Sequence, residues 1–233
     1  MNALRRIVLA CALPLLLSSC LLVPGKFNST LTVHADRSFS FAYKGEVLAS
    51  DPSSGTDSPP GASATTEEKA DYAAKAGERA QKASEQEVKN REIATALGKE
   101  AGYRSVIYKG NGLFLVDYAV TGLLTTNFVF PFNSDAEVMI PFIALEVRKD
   151  GTVRMRAPAF GKAQGQGGSA GAIPMMNDPS EKAEGIFTLV TDAEIVMQNQ
   201  EDGPKIVGAD KTITWPIGPL KKDAPTAVLR MKN

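Results

Sequence analysis

The chain has one histidine, one tryptophan and two cysteines in 233 residues. A lone His34 excludes the usual zinc site, which recruits several ligands. A serine triad is excluded on similar grounds, because no Gly-x-Ser-x-Gly turn accompanies the histidine. Charge of one sign is also lacking: 26 Lys and Arg stand against 26 Asp and Glu. A balance this even supplies no broad electrostatic attraction to nucleic acid. Long apolar runs are missing too. The run Ile7–Leu17 covers 11 residues, well short of the about 20 that span a bilayer, and no later segment reaches that length.

That N-terminal run nevertheless has a recognisable build. Arg5 and Arg6 precede it, and Pro14 and Ser18-Ser19 interrupt it. A positive start, a short apolar stretch and small residues form a secretory signal, assigned to residues 1–19. Leu17-Ser18-Ser19-Cys20 resembles the lipobox of bacterial lipoproteins. The resemblance implies a diacylglyceryl group on Cys20, with the peptide cut just before it. Acyl chains contribute roughly 0.8 kcal/mol per buried methylene, so several on one residue would anchor the chain to a membrane. Leu21 follows where an acidic residue tends to retain such proteins in the inner membrane, which favours the outer membrane, facing the periplasm. Cys11 leaves with the signal, so no disulfide, Cys-based metal site or Cys nucleophile is expected in the mature chain. Arg5 and Arg6 leave as well, and 26 basic residues become 24 against 26 acidic ones.

Residues 20–25 read as a lipidated tether and residues 26–233 as a single domain. "STLTVHADRSFSFAYKGEVLA" alternates with period two around an Ala35-Asp36-Arg37 turn and predicts a hairpin. The Pro-, Gly- and Ser-rich residues 50–66 read as a flexible linker. Residues 67–101 then predict one helix, with Thr65 or Thr66 as its cap and Glu67-Glu68 at the positive end of its dipole. Its apolar face is weak: alanines, then Val88, Ile93 and Leu97. Eight acidic and seven basic residues between Glu67 and Glu100 suit a solvated helix docked through its C-terminal third.

Strand patterns return at Tyr103. Gly110-Asn111-Gly112 and Lys149-Asp150-Gly151 each separate two alternating runs and predict hairpins. A further pair is expected around Thr191-Asp192, followed by strands to the end of the chain. Roughly nine or ten strands and one helical excursion define an α+β class, mostly antiparallel.

Candidate chemistry is sparse. His34 falls on the strand face opposite Leu31 and Val33, which predicts exposure. Gly165–Ala170 fits the loose dinucleotide pattern, but Ile173-Pro174 blocks the helix that pattern requires, so no cofactor is expected. Met175-Met176 in the same loop are adaptable apolar groups that suit a cavity cover, lipid contact or a sheet edge. Asp135/Glu137 and Asp192/Glu194 are spaced to share strand faces, a pattern read chiefly as solvated surface. The aromatic residues stand out. Phe128, Phe130 and Phe132 share one predicted strand face, with Phe142 nearby and Trp215 in a later strand. Such a set packs a core or lines a groove for an acyl chain.

The order of lipobox, early Gly45-Glu46-Val47 strand, helix, sheet and a terminal turn into Thr212-Ile213-Thr214-Trp215 resembles the LppM-like domain of bacterial lipoproteins. Motif identity is confined to Gly208–Trp215. Some relatives continue into a membrane helix, where this sequence ends at Asn233. The resemblance implies an envelope protein and carries over no catalytic residues. The expectation is therefore a non-enzymatic envelope lipoprotein, anchored at Cys20, that binds a lipid, another amphiphile or a partner. A structural lipoprotein contacting an envelope protein through helix 67–101 is the alternative. A hydrolase acting through Asp117, Asp135, Glu137 and Glu146 is not expected.

Overall fold

The computed structural model describes residues 21–50, 60–61, 63–131, 140–161, 182–220 and 223–232. The expectations that fall on Cys20, Phe132, Asp135, Glu137, the Gly165–Ala170 loop and Met175-Met176 lie outside these residues.

The chain begins with two long strands, β1 (Leu21–Val33) and β2 (Ser38–Ser50). Their antiparallel register sets Leu31 opposite Phe41 and Val33 opposite Phe39. The connecting turn is built as the alternation implies. Asp36 Oδ1 accepts hydrogen bonds from the Ser38 amide at 2.8 Å and hydroxyl at 2.7 Å. Arg37 takes the left-handed conformation, with φ 72°. Residues 21–25, expected as a tether, are instead the first part of β1.

A register shift lies between Pro24 and Phe27, so Pro24 pairs with Val47 while Phe27 pairs with Gly45. The extra residue returns Phe27 to the inner face. Space for its close approach comes from glycine: a Cβ at position 45 would sit 2.5 Å from Phe27 Cβ and 2.4 Å from the Lys26 carbonyl oxygen.

Two helices follow, α1 (Thr66–Ala74) and α2 (Ala76–Leu97), rather than one. Thr65 caps α1 in a capping box, its hydroxyl accepting from the Glu68 amide while Glu68 accepts from the Thr65 amide. The chain leaves helical geometry at Lys75, with φ −84° and ψ 4°. The Arg79 guanidinium stacks 3.6 Å over the Tyr72 ring and ties α1 to α2.

The remaining strands are β3 (Tyr103–Gly110), β4 (Leu113–Leu123), β5 (Phe128–Phe130), β6 (Ile143–Val147), β7 (Thr152–Arg156), β8 (Glu184–Thr191), β9 (Glu194–Gln198), β10 (Lys205–Val207), β11 (Asp210–Ile217) and β12 (Thr226–Arg230). They form a seven-stranded sheet in the order β10-β11-β8-β1-β2-β4-β3 and a five-stranded sheet in the order β5-β6-β7-β12-β9. The class is α+β with sheet dominant. The pairs β3–β4 and β6–β7 are antiparallel, as their turn residues predict. The β1–β8 pair is parallel, so the larger sheet is mixed.

The hairpin expected around Thr191-Asp192 does not form. β8 pairs with β1 and β11, whereas β9 pairs with β12 in the other sheet. Side chains hold the chain in a corner here. Asp192 Oδ1 accepts from the Ala35 amide at 2.7 Å, and Thr191 Oγ1 accepts from the Ala193 amide at 3.0 Å. Lys211 Nζ donates to the Ala193 carbonyl at 3.0 Å.

The inner faces of the two sheets share one hydrophobic core. Phe41 meets Phe130 at 5.2 Å between ring centroids, and Tyr43 meets Phe142 at 5.4 Å. Phe160, in a short 3-10 turn at Pro158–Phe160, bridges Phe27 at 4.3 Å and Phe187 at 5.6 Å. Fully burying each such side chain contributes about 1.5–3 kcal/mol, and each ring pair adds about 0.5–1.5 kcal/mol.

A candidate apolar pocket beneath helix α2

One end of the seven-stranded sheet gathers the start of β1, the end of β2 and the β3–β4 turn. Leu21 pairs with Ser50 and Leu48 with Leu113, and the Ala49 amide donates to the Gly112 carbonyl at 2.8 Å. Leu22, Val47, Phe114 and Val116 carry the inner face to that end, and α2 lies across them. Between helix and sheet is a cavity of about 40 Å³. Ile93 and Leu97 of α2 form one wall, and Phe130, Pro131 and Phe142 form another. Among the described residues of the lining, Tyr103 alone carries a polar side-chain group, its hydroxyl. Burial pushes that hydroxyl's pKa up to about 12, with Tyr118 and Glu100 adding to the effect, so it stays neutral at ordinary pH. A wall of this kind favours hydrocarbon over ions or sugars.

The helix is held over the pocket by polar contacts. Glu87 accepts from the Tyr108 hydroxyl at 2.7 Å and from the Asn111 amide at 2.8 Å. The Tyr108 oxygen in turn accepts from Asn90 Nδ2 at 3.2 Å and from the Gly112 amide at 3.0 Å. The Tyr108 hydrogen bond is the main reason the Glu87 carboxyl titrates below its ordinary value; the Asn111 amide and Arg91 act in the same direction. Asn90 and Ala94 are the buried residues of α2. Val88, expected on the apolar face, is 52% exposed. The face turned to the sheet carries Glu87, Asn90, Ala94 and Leu97, polar in its first half and apolar in its second.

The structure separates the aromatic candidates. Phe130 and Phe142 line the pocket and are also buried core residues, at 3% and 0% exposure. Phe128 shares the Phe130 face of β5 but packs on Phe39 and Phe41, outside the lining. Trp215 lies elsewhere in the core, stacked on Phe187 at 5.6 Å and donating from Nε1 to Asn199 at 3.1 Å. Sequence reasoning missed Glu87, Asn90 and Tyr108. The available signal was two hydrogen-bonding residues at helical spacing on the face that continues to Ala94 and Leu97.

The polar candidates do not converge. His34 is half-exposed, with Nδ1 3.5 Å from Asp192. Asp192 and Glu194 share no face: Asp192 bonds the Ala35 amide, and Glu194 pairs with Arg230 at 3.3 Å. Asp117 lies 3.9 Å from Lys44, and Glu146 is ion-paired with Arg156. Among the described residues no group of three or more His, Cys, Asp or Glu is placed to hold a metal. Among them too, no helix is long and apolar enough to cross a membrane.

No protein-family profile matches the chain, and no curated protein matches it. Among solved structures, the NMR structure of the folded domain of Mycobacterium tuberculosis LppM is similar over 91% of this chain and 93% of that one. The two are 14% identical, with a TM-score of 0.34. A likeness at that level carries no functional argument.

Proposed function

We propose that this chain is a lipid-anchored envelope lipoprotein whose β-rich body is a non-enzymatic module for a single-chain amphiphile. The anchor is Cys20, and the compartment is the periplasmic face of the envelope, with the outer membrane preferred over the inner. The observation that carries the reading is a hydrocarbon-lined pocket at the end of the sheet where β1 begins, immediately after Cys20. An acylated Cys20 would hold this end of the body against the bilayer. The cavity is far smaller than a typical ligand site of about 300–1,000 Å³, so uptake requires α2 to move outward.

Two measurements test this. The mass of the mature N-terminal peptide should carry the acyl groups, and an unmodified Cys20 would overturn the anchor. Native mass spectrometry of Cys20→Ser protein with added oleate should give a saturable one-to-one adduct. No adduct across a panel of fatty acids and lysolipids would overturn the binding role.

The alternative, an assembly lipoprotein contacting an envelope protein through its helices, draws on α1, which buries none of its residues. Cysteines introduced along α1 and α2 for crosslinking distinguish it. Specific capture of one envelope protein by the helices, with no amphiphile adduct, would favour this second reading.

A further inference from the structure

We propose that the pocket beneath α2 receives one of the acyl chains attached to Cys20 of the same polypeptide, with α2 as its hinged cover. The proposal rests on the acylation of Cys20 argued above and names the ligand of the same pocket.

Reach is the first argument. Leu22 lines the pocket, and two residues of chain span at most about 7 Å. Chain connectivity alone thus limits the separation between the lipidated residue and Leu22 to that distance. Slack is the second. β1 pairs with β2 from Leu21 onward, in unbroken register to Pro24. With no flexible tether, a chain on Cys20 meets the pocket at the high effective concentration of an intramolecular ligand, which a free lipid would have to match from outside. The described side chains of the wall are hydrocarbon apart from one tyrosine hydroxyl, and so match an acyl chain.

The cover is built to move. α2 contributes Ile93 and Leu97 to the pocket but buries only Asn90 and Ala94 among its described residues. The contact at Glu87, Asn90 and Tyr108 is hydrogen-bonded, with Asn90 buried and Glu87 open to water, and it opens at lower cost than a packed core. Gly98 continues the helical geometry, and the chain then turns at Gly102, φ 93°, into β3, which is the joint about which the helix would pivot outward. A chain seated here would be withdrawn from the bilayer. The body would then be held by its remaining acyl chains, and the strength of anchoring would depend on whether α2 is open or closed.

The test uses the full chain, made in cells fed a fatty acid carrying a terminal diazirine and extracted in native membrane discs. After illumination, peptides are mapped by mass spectrometry. The expected result is a crosslink from the Cys20 chain to residues 93–97 or 130–131 of the same polypeptide. Tyr108→Phe, which loosens the cover without removing the ring, should change the yield of that crosslink several-fold. Leu97→Trp, which fills the pocket, should suppress it, with circular dichroism confirming that both variants fold. An acylated Cys20 that crosslinks only to bilayer lipid, or to a neighbouring polypeptide, overturns the proposal and leaves the anchor and amphiphile binding intact. An unacylated Cys20 overturns the proposal together with the anchor, and the N-terminal peptide mass identifies that case.

Discussion

The contact between the two sheets and the contact between α2 and the larger sheet are made of different materials. The first is ring against ring: Phe27, Phe41, Tyr43, Phe130, Phe142, Phe160 and Phe187 are nearly all removed from water. The second joins a few half-buried aliphatic groups to a hydrogen-bonded cluster at Glu87, Asn90 and Tyr108. Dense apolar packing is hard to open because every lost contact leaves a cavity. Asn90 in that cluster is itself buried, but the Glu87 side chain is about one-third exposed, and its hydrogen bonds can be exchanged for bonds to water at a net cost of about 0.5–1.5 kcal/mol each. The same polypeptide thus has a rigid body and a cover that can separate from it.

Four changes would break or sharpen this contrast. The largest effect is expected at Phe187, which is fully buried between Trp215 and Phe160. Phe187→Ala should cost about 3–5 kcal/mol of global stability in urea titration. Gly45→Ala comes next, because a Cβ there meets Lys26 and Phe27 well inside contact distance. A loss of about 1–3 kcal/mol is expected, again in the global transition. Tyr108→Phe leaves the Asn90 and Gly112 amides without their acceptor, so it should cost that transition about 1 kcal/mol and speed amide exchange in residues 86–97 several-fold. A global loss as large as that of Phe187→Ala would erase the distinction between the two contacts.

The smallest effect is one of pH. The Glu87 carboxyl titrates below the ordinary glutamate value because the Tyr108 hydroxyl, the Asn111 amide and Arg91 favour its charged form. A depressed pKa means that the stabilisation is fully present above the unfolded value and is lost as pH falls through the folded one. Exchange in α2 should therefore accelerate only on acidification below about pH 4.5, and Glu87→Gln should flatten that dependence.

Local chemistry made much of the fold legible. The β1–β2, β3–β4 and β6–β7 hairpins follow from alternation and from turn residues such as Asp36, Asn111 and Gly151, whose neighbours in sequence are also their neighbours in space. The parallel β1–β8 pair and the insertion of β12 between β7 and β9 depend on partners far along the chain, where no local signal exists. The same holds at Asp192, whose role at the corner depends on Ala35, 157 positions away. The break at Lys75 has no proline, and no glycine of its own, to announce it. The pocket was half legible. Phe130 and Phe142 stood out as aromatic, but Glu87 and Asn90 resemble any solvated helix residues until Tyr108 is brought against them.

Hydrogen exchange along the Cys20→Ser chain, followed while oleate is added below its micelle concentration, tests the central claim most directly. The account predicts a saturable change in residues 86–97 and in the strand segments around Val47 and Phe114, with the β8–β11 region unaffected. No change in α2, or a uniform change across both sheets, would contradict it.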